Sequence, residues 1–456
     1  MDEGVGSKTL VKELLNKARS LEREGRVEDA VALYSRVFSL DSGNEEAKRK
    51  IYELKSVEMI VELPNVVRNL CISPDNRYLA LTYKGVVPGL IIIDLKRRKE
   101  IFRITHPNPF PGIVWHPSGR YLATRQGERL IVVDAKSRKV IFDKVHKAPF
   151  SMVTWHPSGR YLVALEDDRI LRIWDFESHE VVRELDLGDL FAKRTWVDYG
   201  WVLNGHGLVF AVSGFGFITI LDPVRNPRVY LDEYGDILLN YITVSPDGRF
   251  IAAHEGGAIY IYSIDENGKT GYVAHFPDPE GEAGLFQWGP KGDYFYVFEE
   301  FHWFFKIINF RRILEDYSSG RIDELKRAYL EEHIDAEFFF HDVYCDGILY
   351  IGDYMTEEDS YNMAEADPDI SYNCSTFDVS PSGRYLAAVY ERTVGIWDLR
   401  SQTLVHRWMM RKALPIDFPE YDDIEIVLWV DDSHLAIVWS LGVGVLHVDE
   451  LPRWSK

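Results

Sequence analysis

The sequence predicts a mainly β protein: a closed propeller of about eight four-stranded blades, with seven as the alternative count, preceded by a small α-helical unit. Three observations carry this. A turn of the general form Pro-x-Gly-Arg recurs with near-constant spacing, its prolines falling at 74, 117, 157, 246, 290 and 381. Intervals of 43, 40 and 44 residues are one unit each, and 89 is two. Between these turns lie short runs of β-branched and aromatic residues, bounded by Gly, Asn and Asp, which is strand-turn-strand punctuation. At 456 residues the chain exceeds one ordinary core, and repetition resolves that excess.

Composition bounds the function. The formal charge of −20 argues against general affinity of the whole surface for nucleic acid or anionic membranes, while leaving room for a local basic patch. Cys71, Cys345 and Cys374 are an odd set without short paired spacing, so neither a disulfide framework nor a cysteine zinc site is indicated. The start Met1-Asp2-Glu3-Gly4 lacks the apolar stretch of a secretory leader. No apolar run approaches the ~20 residues of a membrane span. A cytoplasmic setting without membrane contact is expected.

Taken in order, residues 1–56 differ from everything after them. Leu14, Ala18 and Leu21 share one helical face, Gly25 interrupts, and Ala30, Tyr34, Val37 and Phe38 form a second apolar stripe. Asp41-Ser42-Gly43-Asn44 turns the chain before a third helix through Ala47, Ile51 and Leu54. The stretch Gly25 to Asp41, with Asn44 and Ala47, resembles a tetratricopeptide repeat, although Ser42 replaces a frequent proline. The resemblance implies that Lys12, Leu15, Arg19 and Arg23 line a groove suited to an acidic helix or tail. The competing reading is a cap on the neighbouring domain, because a lone repeat cannot bury its own faces.

From residue 57 to 456 the period-2 pattern takes over. The turns read Ser73-Pro-Asp-Asn-Arg77, His116-Pro-Ser-Gly-Arg120, His156-Pro-Ser-Gly-Arg160, Ser245-Pro-Asp-Gly-Arg249, Gly289-Pro-Lys-Gly-Asp293 and Ser380-Pro-Ser-Gly-Arg384. Degenerate units are placed at Asn204-Gly-His-Gly207 and Val430-Asp-Asp-Ser-His-Leu435. His146 precedes Pro157 by eleven residues and Asp168 precedes Trp174-Asp175 by six, and Trp397-Asp398 recurs near the end. On these residues the units resemble WD40-type propeller blades. The resemblance implies a structural hydrogen-bond set of His146, Asp168, Trp174 and Asp175, with Trp397 and Asp398 as a second copy.

The last unit stops before a fourth strand, and residues 58–63 are expected to supply it, interlocking the two ends of the array. Residues 310–375 break the period and read as an insertion, with a truncated further unit as the alternative because Asp346-Gly347 mimics a blade turn. Within it, 356–369 carries six acids and no base, the composition of a solvated loop.

No phosphate-binding loop, dinucleotide fingerprint, HExxH or GxSxG elbow is present. No catalytic residue, cofactor or metal is therefore assigned. His116 and His156 stand 40 residues apart at equivalent turns, which fits repeat-derived turn residues better than a metal pair lacking a third ligand. A basic face is the better candidate site. The propeller resemblance implies that Lys96, Arg97, Arg98, Lys99, Lys136, Arg138 and Lys139, with Arg77, Arg120 and Arg160, lie on the same side of blades 1–3. An aromatic run containing Phe301, Trp303 and Phe304 is a candidate protein-binding hot spot, with packing beneath the insertion as the bland reading. Trp397-Asp398-Leu399-Arg400 also resembles the WDxR signature of propellers that join ubiquitin-ligase adaptors.

The function expected is a non-catalytic scaffold for one or more protein partners. The alternatives are a ribonucleoprotein-associated factor docking through the basic face, and an enzyme with its site in the central channel.

Overall fold

The computed structural model describes the chain except residues 1–2, 25, 42–43, 45, 48–49, 51–56, 64–66, 192–194, 214, 235–238, 256–257, 278–282, 300–303, 322–344, 351–373, 391–392, 410–423, 440–441 and 451–456. Two helices open it, α1 (Glu3–Arg23) and α2 (Val27–Leu40). Their apolar stripes meet. Ala18 and Leu21 of α1 pack on Ala30, Tyr34 and Val37 of α2, with Ala47 closing the cluster. The Tyr34 hydroxyl donates to Glu22 at 3.0 Å, so the buried ring keeps its polar tip satisfied. Asn44 Oδ1 accepts from the Ala47 N–H at 3.0 Å, a side-chain cap where the chain re-enters helical structure. The expected third helix lies mostly outside the described residues. No helix among the described residues is long and apolar enough to cross a membrane.

The described β residues form eight four-stranded antiparallel sheets. Eight is therefore the blade count. In order, the blades span residues 67–105, 112–145, 150–186, 195–233, 239–277, 283–350, 374–409 and 424–447. In the first seven, strand order follows chain order from the inner strand outward. The eighth takes its outer strand from the other end of the chain: Val57–Glu62 pairs antiparallel with Gly442–His447.

Each blade buries side chains on both faces, so middle strands such as Tyr78–Tyr83 and Gly89–Asp94 are buried along their whole length. Every core is shared by two successive blades. Leu90 and Ile92 of blade 1 pack with Leu122 and Val133 of blade 2, for example. The same arrangement joins every consecutive pair down to blades 7 and 8. An eighth cluster unites Leu79, Leu81 and Ile91 of blade 1 with Val438, Val443 and Val445 of blade 8 and with Val61 and Leu63.

Inner strands add polar ties. The indole N–H of Trp115 donates to Cys71 O at 3.1 Å, that of Trp201 to Thr154 Oγ1 at 3.1 Å and that of Trp429 to Asp378 O at 3.1 Å, each reaching the preceding blade. Burial pushes the Cys71 thiol up to about 12, leaving it an inert neutral group.

The sixth blade corrects the expectation for 310–375. Its third strand, Phe304–Asn309, runs directly into a helix, Phe310–Ser318, capped by Asn309 accepting from the Arg312 N–H. Phe310 and Ile313 of that helix are fully buried against Phe250 and Trp288. The blade's outer strand is then Cys345–Tyr350. What interrupts the period thus lies between the third and outer strands of blade 6, and residues 345–350 belong to the blade itself. The acid-rich 356–369 stretch lies outside the described residues.

Candidate interaction face

One side of the propeller carries the turn from first to second strand of each blade and, in blades 1–5 and 7, the turn from third to outer strand. Their residues are built into each other. The Arg120 guanidinium donates to both oxygens of Asp134, at 3.1 and 2.7 Å. Arg160 pairs with Asp175 at 2.8 Å and Arg384 with Asp398 at 3.1 Å. Each aspartate also caps its own turn: Asp134 Oδ1 accepts from Lys136 N at 2.9 Å, Asp175 from Glu177 N at 3.0 Å and Asp398 from Arg400 N at 2.9 Å. The Arg120 guanidinium, aided by these N–H groups, holds the Asp134 carboxyl at about 2. The turn arginines are thus latches between two turns of one blade.

The turn histidines are latches between blades. His116 Nδ1 accepts from the Ser118 N–H at 3.0 Å, and its Nε2 lies 2.7 Å from Gly159 O in blade 3. This fixes the neutral ring with its proton on Nε2. His156 makes the same local contact with the Ser158 N–H and bonds the Gly205 backbone of blade 4. Gly159 has φ of 75°, and a Cβ there would meet His116 Nε2 at 2.6 Å, so only glycine fits. Neither histidine is placed as a metal ligand.

The basic residues Lys96, Arg97, Arg98 and Lys99 of blade 1 and Lys136, Arg138 and Lys139 of blade 2 are all exposed on this side. Between the two blades is a cleft of about 440 Å³. Arg77 and Arg97 line it from blade 1, and Arg120, Lys136 and Arg138 from blade 2, against the carboxylates Asp75 and Asp94. Asp94 is almost fully buried, with Arg77 at 3.5 Å and Arg97 at 3.7 Å. Tyr78 and Ile101 supply the apolar wall.

The face is narrower than the sequence indicated. In blade 3 the turn positions matching Lys136 and Lys139 hold the exposed Glu177 and Glu180, and Arg160 is held by Asp175. On the other side, the first-to-second turn of blade 8 presents Asp431 and Asp432, and Asp449 follows its third strand. Of the three blades expected to carry the basic turns, blades 1 and 2 do so and blade 3 does not.

Other candidate residues fall as follows. His146 stacks edge-on against Trp174 at 5.6 Å, but the carboxylate beside it is Glu166, 3.8 Å from Nδ1. Glu166 in turn accepts from Arg172 at 2.7 Å. Asp168 instead occupies the exposed turn at φ 49°. Trp174 and Trp397 are buried, and Asp175 and Asp398 cap turns as described.

In the helical hairpin Arg19 is engaged by Glu46 and Leu15 packs on the core, leaving Lys12 and Arg23 exposed. Phe301 and Trp303 lie outside the described residues, as does the Phe304 side chain. The neighbouring Tyr296, Phe298 and Phe305 are buried between blades 6 and 7.

In the channel-facing inner strands, Asp198 accepts from Ile242 N at 2.9 Å and from Tyr199 N at 2.8 Å. Asp378 is similarly enclosed by donors, and burial raises both carboxyls above their ordinary range. No group of three or more His, Cys, Asp or Glu suited to a metal occurs among the described residues.

Sequence reasoning missed the indole ties and the Arg–Asp latches. Trp115 stands directly before its His-Pro turn, the one available signal.

Comparison with known proteins defines the class. The family model for the WD domain, G-beta repeat, matches residues 138–175. That span covers the outer strand of blade 2 and the first three strands of blade 3, so the sequence repeat and the blade are out of phase by one strand. The C-terminal WD40 domain of Sif2 is similar with a TM-score of 0.55 at 14% identity, covering 85% of this chain and 97% of its own. The β-propeller domain of Cps50 (Swd1) from Myceliophteria thermophila gives 0.46 at 12% identity, covering 85% of this chain and 99% of its own. A chain of the Kuenenia stuttgartiensis hydrazine synthase gives 0.49 at 15%, covering 77% and 97%. No curated protein matches the chain by sequence. The protein is an eight-bladed β-propeller containing a WD40 repeat.

Proposed function

We propose that the protein is a non-catalytic, cytoplasmic scaffold: a closed propeller whose basic face on blades 1 and 2 receives a protein partner, with a tetratricopeptide-like hairpin at 1–56 as second contact. WD40 propellers commonly bind other proteins. Closure is supported by the pairing of Val57–Glu62 with Gly442–His447 and by the core shared between blades 8 and 1. A ring so tied presents its turns with little ordering entropy left to lose on binding.

The observation that carries the reading is the basic zone of blades 1 and 2 on a chain of charge −20, flanked by acidic turns in blades 3 and 8. Acidic flanks favour a discrete protein contact over a continuous phosphate track, which needs cations along its length. The test is affinity capture from native lysate at low and high salt, with nuclease in parallel, followed by crosslinking. Partners that survive nuclease and crosslink to Lys96, Lys99, Lys136 or Lys139 are expected. Capture abolished by nuclease, or crosslinks confined to the opposite face, would overturn it.

A further inference from the structure

We infer that the cleft between blades 1 and 2 binds a short acidic peptide, with Arg97, Lys136 and Arg138 receiving its carboxylates. This rests on the scaffold reading and narrows it to one partner chemistry. Five cationic side chains line the cleft against two carboxylates. Arg120 is matched by Asp134 behind the wall. Asp94 is shared between Arg77 and Arg97 at 3.5 and 3.7 Å, so one buried carboxylate serves two guanidinium groups. The lining therefore carries an excess of positive charge directed at solvent, and an added anion satisfies it.

Size and surroundings select the ligand. A volume of about 440 Å³ lies in the range of small-ligand sites, roughly 300–1,000 Å³, and holds a few residues of extended chain. Tyr78 and Ile101 give the aliphatic stem of a glutamate an apolar wall. A long polyanion crossing this face would meet Glu177 and Glu180 on one side and Asp431, Asp432 and Asp449 on the other. A peptide ending within the cleft avoids that repulsion.

The molecule contains its own control. The equivalent cleft between blades 6 and 7, about 490 Å³, has Lys291, Arg384 and Arg400 against Asp293 and Asp346. Position and size match; the charge excess does not.

The test is fluorescence anisotropy of a labelled hexaglutamate peptide titrated with the full chain at two salt concentrations, with hexaglutamine and oligodeoxythymidylate as parallel probes. Hexaglutamate binding that weakens with salt is expected. The pair Arg97→Glu and Lys136→Glu should weaken it about tenfold or more, while Lys291→Glu leaves it within about twofold. Should the reversed pair fold poorly by circular dichroism, Arg97→Gln with Lys136→Gln gives the same direction at smaller size. Absence of hexaglutamate binding, equal loss with Lys291→Glu, or tighter oligodeoxythymidylate binding lost with the same variants would each overturn the assignment. Peptide binding without captured partners would retain the cleft and sink the scaffold reading; partners without peptide binding would do the reverse.

Discussion

Asp378 ties three blades together, and removing it should show how the propeller holds its seams. It stands on the inner strand of blade 7. One oxygen accepts from Gln287 Nε2 of blade 6 at 3.0 Å and from Val379 N at 2.9 Å; the other accepts from Trp429 N of blade 8 at 2.8 Å. Asp378→Ala strands the Trp429 N–H, a buried donor worth about 1–3 kcal/mol when unpaired, and loses the Gln287 bond, worth about 1 kcal/mol. Relief of the carboxylate's burial offsets part of this, so the expected cost is about 2–3 kcal/mol.

Asp378→Asn keeps an acceptor for Trp429 and can donate to a turned Gln287 amide, losing only the Val379 bond, about 1 kcal/mol. The pH dependence has a definite sign. Burial raises the Asp378 carboxyl above the ordinary 3.8, so the folded state takes its proton first. Its contribution is greatest below 3.8 and is lost as pH rises through the folded value. The advantage of aspartate over asparagine should shrink accordingly. Urea unfolding read by tryptophan fluorescence, with hydrogen exchange at the Trp429 amide, checks both. An alanine variant within about 0.5 kcal/mol of the parent, its Trp429 amide still protected, would refute the seam argument.

Three further outcomes follow from the same geometry. Burial lowers His116, His146 and His156, so the unfolded chain binds protons first and stability should fall as pH drops below about 6.5, measured by urea midpoints at neutral and mildly acidic pH. Gly159 and Gly383 share a turn position with φ of 75° and 73°, but only at Gly159 would a Cβ meet a neighbour. Gly383→Ala should therefore cost about 1 kcal/mol of backbone strain, and Gly159→Ala about 1–2 kcal/mol more because His116 must also let go; equal thermal shifts would contradict this. Deleting residues 57–62 strips the outer strand from blade 8 and uncovers Val443 and Val445 beside blade 1, and loss of a single cooperative thermal transition is the expected result.

Much of the fold is legible because its signals are local. The Pro-Ser-Gly-Arg turns count the blades, and Asn204-Gly-His-Gly207 marks the degenerate fourth at the expected interval. The misreadings share a cause. The last strand of blade 6 is separated from its neighbour by residues 310–344, so Cys345–Tyr350 loses its periodic context and reads as part of an insertion. Gln287 and Asp378 meet across 91 residues, and the indoles find mostly backbone carbonyls, which leave no mark in a sequence. Glu166 displaces Asp168 as the partner of His146 because its strand faces the ring, while the turn carries Asp168 outward.

Periodicity itself separates structure from recognition on the basic face. Positions 77, 120, 160 and 384 repeat as arginine because each must meet an aspartate two turns away. A residue type reused for the same internal contact in four blades is consumed by the blade. The position held by Lys96 in blade 1 and Lys136 in blade 2 becomes Glu177 in blade 3, with no change in the turn that carries it, and the first-to-second turn of blade 8 carries Asp431 and Asp432. Since the fold tolerates either charge there, the fold cannot be what selects lysine in two adjacent blades and acids on both flanks. Under the proposal that this face receives a partner, the charge pattern answers to that partner, and its two-blade width sets the size of the contact.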